Sequence, residues 1–301
     1  MSTKKTTSVW AIGLISIYLS VGLSGQNMET GFVNTLTPAV PFITIPTLSS
    51  TQSLGYINSV GSNSLESGHF GNPAIMALSG KKMSIATGYT PWERELLPDM
   101  SLFGISAFSR ISPGNYLGVD FTYFNLGHHT TIGGNSFNPY ERLIAISYAR
   151  KINSNSGIGI RVKHILSDLT GGQYVGGMES SSGVSLAMDM GYSLKIPGKV
   201  DPITHELGVG INNLGSKISY QENSDKDFIA TTLNLGYAFQ YQINQDQQVS
   251  IAYEFEKYLI PTPPIYYQDS IDLEGDPIIF KGFDPQVSVV KGLIQSFYDA
   301  P

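Results

Sequence analysis

Gly183-Val184-Ser185-Leu186-Ala187-Met188-Asp189-Met190-Gly191-Tyr192-Ser193-Leu194-Lys195 is the stretch whose reading decides the fold. Val184, Leu186, Met188, Met190, Tyr192 and Leu194 share one parity, and Ser185, Ala187, Asp189, Gly191, Ser193 and Lys195 share the other. A period of two puts the two sets on opposite faces of a β-strand. The stretch 229–242 repeats the pattern, with Leu233, Leu235, Tyr237, Phe239 and Tyr241 against Thr232, Asn234, Gly236, Ala238 and Gln240. So does 248–259, and weaker copies lie at 83–90, 100–111, 115–125, 140–151, 157–166 and 204–214. These are nine strands, with 286–294 a candidate tenth. Most are long enough to cross a bilayer, which takes ~9–11 residues against ~5–6 for a globular strand.

The two faces differ as they do in a membrane barrel. One is aliphatic and aromatic. The other is small or polar and carries Asp120, Arg161, Lys163, Asp189, Glu254 and Glu256. A slip of one residue would turn these charges toward lipid, at up to ~2–4 kcal/mol for a midplane Lys or Arg, so the register is well specified. In a soluble sandwich the apolar face points inward instead, and the strands are shorter. Connection lengths give a second signal. Those at 91–99, 126–139, 167–182, 215–228 and 260–285 are long; those at 112–114, 152–156, 196–203 and 243–247 are mostly short. Outer-membrane barrels alternate in this way, with short periplasmic turns and long external loops. The mature N-terminus is then expected on the periplasmic side.

Composition narrows the function. Charged residues make up 14% of the 301, against roughly 25% in an average domain. Ample Tyr, Phe, Ile and Leu and a net charge of −6 exclude disorder by composition. Without cysteine there is no disulfide scaffold, no Cys-ligated zinc and no Cys nucleophile. An acidic chain without a Lys/Arg run disfavours nucleic acid. At the N-terminus, Lys4 and Lys5 precede the apolar run Val9 to Leu23, with small residues Gly22, Ser24 and Gly25 at its exit, which reads as a signal peptide over 1–25. No Cys follows to carry a lipid anchor, and no later run reaches the ~18 apolar residues of a transmembrane helix. Residues 26–80, rich in Ser, Asn, Thr, Gly and Pro, are expected to form a periplasmic or plug segment before a barrel over 81–301.

Several words of the sequence carry a resemblance. They are Ala39-Val40-Pro41-Phe42, Asn72-Pro73-Ala74, Gly88-Tyr89-Thr90-Pro91-Trp92, Tyr123-Phe124-Asn125-Leu126-Gly127, Ser167-Asp168-Leu169-Thr170-Gly171-Gly172, Ile211 to Tyr220, Leu259-Ile260-Pro261-Thr262-Pro263-Pro264 and Gln295 to Pro301. In this order the chain resembles the PorV (LptO) family, outer-membrane proteins of the type IX secretion system with a FadL-like barrel. The resemblance implies an all-β, transmembrane antiparallel outer-membrane barrel of 14 strands. It places Asn72-Pro73-Ala74 in a hatch that plugs the barrel. It implies no catalysis and no cofactor, and an outer-membrane shuttle that binds the C-terminal signal domain of secreted cargo. The implied partners are a SprA/Sov-like translocon, a sortase-like attachment complex with PorU, PorQ and PorZ, and outer-membrane lipid or lipopolysaccharide. Two departures stand out. Ser53 to Gly61 replaces the family's Gly-Gly-Met-Gly-Asp-like stretch, and no final strand ends in an aromatic residue, so a C-terminally incomplete barrel is expected. The alternatives are a FadL-type transporter of hydrophobic molecules and a lipopolysaccharide deacylase.

Candidate contact residues lie in the long loops. Trp92 is read either as a partner anchor or as an interfacial belt residue, with Arg94 beside it. Asp168 opens a turn-forming run to Gly172. Tyr266, Tyr267, Asp269 and Asp272 lie in 260–285, which Pro261, Pro263 and Pro264 would project from the rim, and this loop is the first candidate for partner contact. Gly210 to Lys217 only superficially resembles a P-loop, because Ser216 precedes Lys217. His128-His129 has no nearby ligand set for a metal.

Overall fold

Nine long strands, each hydrogen-bonded to its neighbours in sequence, form one antiparallel sheet in a computed structural model. The structure describes residues 35–53, 55–61, 71–95, 99–131, 133–175, 178–198, 202–221, 225–244, 247–271 and 277–299; the expected signal peptide and Asp272 lie outside them. The strands are β1 (Met83–Pro91), β2 (Ser101–Ser112), β3 (Asn115–Asn125), β4 (Tyr140–Lys151) and β5 (Ser156–Asp168). They continue with β6 (Gly183–Pro197), β7 (Ile203–Gly215), β8 (Thr232–Gln242) and β9 (Gln248–Tyr258). The nine segments expected from the alternation are these nine strands, with ends shifted by a few residues. Among the described residues the sheet is not closed, and β1 and β9 are its edges.

The sheet is inside out relative to one in water. In β6, Val184, Leu186, Met190 and Tyr192 are exposed, while Ser185, Asp189 and Ser193 are buried. The neighbours agree: Val119 is exposed and Asp120 buried, Ile160 and Val162 exposed and Arg161 and Lys163 buried. An apolar outer face with polar groups turned inward is the arrangement that strands of a membrane barrel have. Connections alternate as expected. Those at 113–114, 152–155, 198–202 and 243–247 are short, and those at 92–100, 126–139, 169–182 and 216–231 are longer. Gly114, at φ 78°, makes the tightest short turn.

The candidate tenth strand is corrected. Residues Val289–Gln295 are a helix, and Ser288 starts it by accepting a hydrogen bond from the Lys291 amide at 3.4 Å. Its apolar positions Val290, Ile294 and Phe297 follow helical spacing, which over so short a run is easily read as alternation. The loop expected over 260–285 contains a hairpin, β10 (Ile265–Ile271) against β11 (Pro277–Lys281).

The polar face is curved around one cluster. Leu102, Phe124, Leu143, Ile165 and Ala187, one from each of β2 to β6, pack with Val40 and Phe42. In a flat sheet β2 and β6 would stand roughly 19 Å apart, at ~4.8 Å per strand. One space beside Phe42 is lined by residues from Thr122 on β3 to Glu256 on β9, strands that a flat sheet would hold further apart still, so the polar face is concave. Beneath this cluster sits a neutral quartet of charges. Asp189 Oδ2 takes Arg161 Nη1 at 3.2 Å and Lys163 Nζ at 2.8 Å, and Asp120 Oδ2 faces Arg161 Nε at 3.3 Å. Ser106 donates to Asp120 at 2.6 Å, Lys163 donates to Asn213 at 2.6 Å, and the Asn213 amide donates to Asp189 at 2.8 Å. Asn213 reaches that position because it takes a left-handed conformation, φ 57°, where the β6–β7 register shifts. Arg161 is only 1% exposed, so the quartet depends on mutual pairing rather than water.

Asp189→Ala leaves Lys163 without its acid and is expected to lower the unfolding free energy by about 3–5 kcal/mol. Urea titration of the detergent-refolded protein, read by the gel mobility of folded and unfolded forms, measures this.

Candidate functional site

The concave face is occupied by the chain that precedes β1. Ala39 forms a parallel bridge with Ile229, and Pro41–Thr44 makes a 3-10 turn. A short helix, α1 (Ser49–Ser53), follows, and α2 (Ile75–Leu78) lies at the opposite, short-turn end. There Met76 and Ala77 pack with Phe108, Tyr116 and Ala149. Val40 and Phe42 instead reach the long-connection end, beside Trp92, Leu126 and Tyr220. This one segment touches all nine strands.

Three pairs of glycines, each facing across neighbouring strands, provide its seats. Gly88 and Gly104 pair in β1–β2, Gly159 and Gly191 in β5–β6, Gly208 and Gly236 in β7–β8. Thr47 lies on the first pair, Asn72 and Pro73 on the second, Ser59 and Val60 on the third. A Cβ on Gly159 would stand 2.6 Å from the Ala74 nitrogen, so any side chain there collides with backbone. The glycines serve close approach, as strand-interior glycines often do.

Hydrogen bonds fix the segment on these seats. Asn72 is fully buried; its Nδ2 donates to the carbonyls of Ser59 at 3.0 Å and Tyr192 at 3.1 Å, and its Oδ1 accepts from the Ala74 amide at 3.0 Å. Glu254 on β9 accepts from the amides of Asn58 at 3.0 Å and Ser59 at 2.7 Å, and from the Ser59 hydroxyl. Asn234 on β8 donates to both Glu254 and Glu256. The space left between Phe42–Pro46 and the charged quartet is about 50 Å³, lined by Asn58, Arg161, Lys163, Asn234 and Glu256 among others. That is room for a few waters.

At the long-connection end, Ser167 donates to Glu141 at 2.8 Å and accepts from the Tyr220 hydroxyl at 3.0 Å. This ties the connection 216–231 down to β4 and β5. Burial pushes the Tyr220 phenol above its usual range, which keeps it protonated as the donor. Lys217 stacks over the Phe228 ring at 4.2 Å; its burial lowers the ammonium, opposed by Asp225, Asp227 and Asp284.

A family model described as Type IX secretion system protein PorV matches residues 28–265. The chain belongs to the PorV family. It is therefore a protein of the type IX secretion system. No curated protein matches it. The match takes in the whole seated segment and all nine strands of the sheet, and ends as β10 begins. Asn72-Pro73-Ala74, singled out by resemblance, is the second seat.

The expected contact residues do not form one cluster. Trp92 is half-buried and meets Phe124 edge-on at 5.6 Å, on the border of the Val40–Phe42 cluster; only its remaining surface is open to a partner. Arg94 is exposed in the same connection. Asp168 Oδ1 accepts from the Gly171 amide at 2.7 Å, closing a turn. Tyr266 and Tyr267 are exposed on β10, and Tyr267 meets Phe280 of β11 edge-on at 4.9 Å. The backbone of Asp269 lies in β10. The inward acids Glu141 and Glu206 were missed by sequence reading; each sits at a polar-parity position of its strand, and the alternation alone was the signal that could have found them.

Gly159→Leu is expected to abolish most of the folded, heat-modifiable gel form, whereas Ile160→Leu on the outward face leaves it unchanged. Glu254→Ala removes the acceptor of the amides of Asn58 and Ser59. Hydrogen exchange at these two amides should accelerate at least tenfold, with little change in strands β2 to β5, read by mass spectrometry.

Proposed function

We propose that the protein is an outer-membrane carrier of the type IX system, exported by residues 1–25, that binds the C-terminal signal domain of secreted cargo at a translocon and delivers it to a sortase-like attachment complex. The observation that carries this reading is the family match over 28–265. The inverted polarity of the strands supports a membrane setting. The seated segment supports a function outside the barrel. Among the described residues, the space between the seated segment and the charged quartet has room for a few waters only, well below the ~300–1,000 Å³ of usual ligand pockets. A FadL-type transport reading gains no support from this geometry.

Cargo contact is then assigned to the long-connection rim, which we read as external. Its accessible candidates are Arg94, Asp168, Tyr266 and Tyr267, with the open edge of Trp92; Asp269 and Asp272 stay in the proposal by sequence position alone. Hairpin β10–β11 is favoured among them, because exposed tyrosines bind with little loss of side-chain entropy. Residues 26–80 act as a hatch in this reading.

Tagged full-length protein, extracted in mild detergent, should co-purify with a giant translocon subunit, a sortase-like partner, or secreted proteins sharing one C-terminal domain. Replacing 265–281 with a Gly-Ser linker should reduce cargo recovery at least tenfold while leaving the barrel folded. Recovery of a monomeric barrel carrying only fatty acid would overturn the carrier reading.

A further inference from the structure

The segment after β9 carries the same inversion as the strands. In α3 (Val289–Gln295) and the turn that continues it, Val290, Ile294 and Phe297 fall on one side of the helix, and all are exposed, Val290 to 70%. The other side is polar or small and buried. Gly292 backs onto Phe228 and Pro261. Gln295 donates to the Asp284 carbonyl at 3.0 Å, and Asp299 accepts from the Thr262 amide at 2.7 Å and hydroxyl at 3.0 Å. A helix on a water-facing surface turns its apolar stripe to the core and its polar face outward. This one does the opposite. Phe283 and Tyr298, both exposed, extend the apolar side and meet edge-on at 5.4 Å.

Its position is fixed by Lys257. That residue has the outward parity of Val249, Ile251, Tyr253 and Phe255 on β9. Its ammonium donates to the Ser296 carbonyl at 2.8 Å and lies 5.3 Å from the centre of the Phe297 ring. The exposed patch is therefore continuous with the apolar outer face of β9, at its long-connection end. Exposed Lys281 and Lys291 border it.

We propose that residues 283–298 form an interfacial anchor on the outer leaflet. Val290, Ile294 and Phe297 face the acyl-chain boundary, Phe283 and Tyr298 extend the aromatic girdle, and Lys281 and Lys291 reach anionic head groups, while Lys257 holds the helix to β9. Aromatic girdles mark both interfaces of membrane barrels, and lysines near them extend their ammonium groups to the head groups. Lipid is favoured over a protein partner because the patch extends a surface already turned to lipid. The inference rests on the membrane reading above, and goes beyond it in assigning a second membrane contact outside the strands.

The chain has no cysteine, so single-cysteine variants take one nitroxide each. Ile294→Cys and Phe297→Cys are compared with Ile251→Cys on β9 and Arg94→Cys at the rim. Each full-length protein is reconstituted in phosphatidylcholine–phosphatidylglycerol bilayers, after its folded gel mobility is checked. Power saturation is recorded with oxygen and with a water-soluble nickel chelate. Labels at 294 and 297 should be relaxed more by oxygen than by nickel, at a depth shallower than 251, while 94 reports water. Water-like labels at 294 and 297 with 251 in lipid would overturn the anchor alone. Labels shielded from both reagents would also overturn it, and would mean that protein covers the patch. A water-like label at 251 would bring down the membrane reading and the anchor together.

Discussion

Each long strand turns its apolar side chains outward and its polar ones inward, and the rest of the structure answers that constraint. Buried polar atoms without partners cost more in such an interior than in water. The concave face therefore has to be filled by groups that satisfy one another. The quartet of Asp120, Arg161, Lys163 and Asp189 does so for charge, two acids against two bases. Ser106, Ser147 and Asn213 supply further partners.

Filling by side chains alone is not enough across nine strands. The segment before β1 brings backbone to the middle of the sheet, and the paired glycines make that approach sterically allowed. Backbone in turn brings its own donors and acceptors, which Asn72 and Glu254 take up. Packing and hydrogen bonding thus specify one position for the segment. With the interior committed to structure, the surfaces left open are the outer face and the rim of long connections. The same polarity carries on past β9 into α3, where small and polar residues face protein and apolar ones face out.

Much of this was legible in the chain. Alternation located nine strands, because each carries its own outward and inward sets and needs no long-range information. Asp120, Arg161, Lys163, Asp189, Glu254 and Glu256 were placed inward by parity alone, and they are inward-facing in the fold. Residues 286–294 were misread because a helix of two turns and a strand share too few positions to be told apart by period. Trp92 could be assigned to a loop, but its contact with Phe124 joins residues that are distant in sequence.

The sequence by itself determined the nine long strands and the polarity of each face, since those follow from a period of two within each segment. Only the tertiary structure decided which face is concave, that Thr47, Ser59 and Pro73 rest on glycine pairs, and that Asp189 joins Arg161 to Lys163. Those contacts join strands and loops through the curvature of the sheet. Curvature is a property of all the strands together and leaves no local pattern in any one of them.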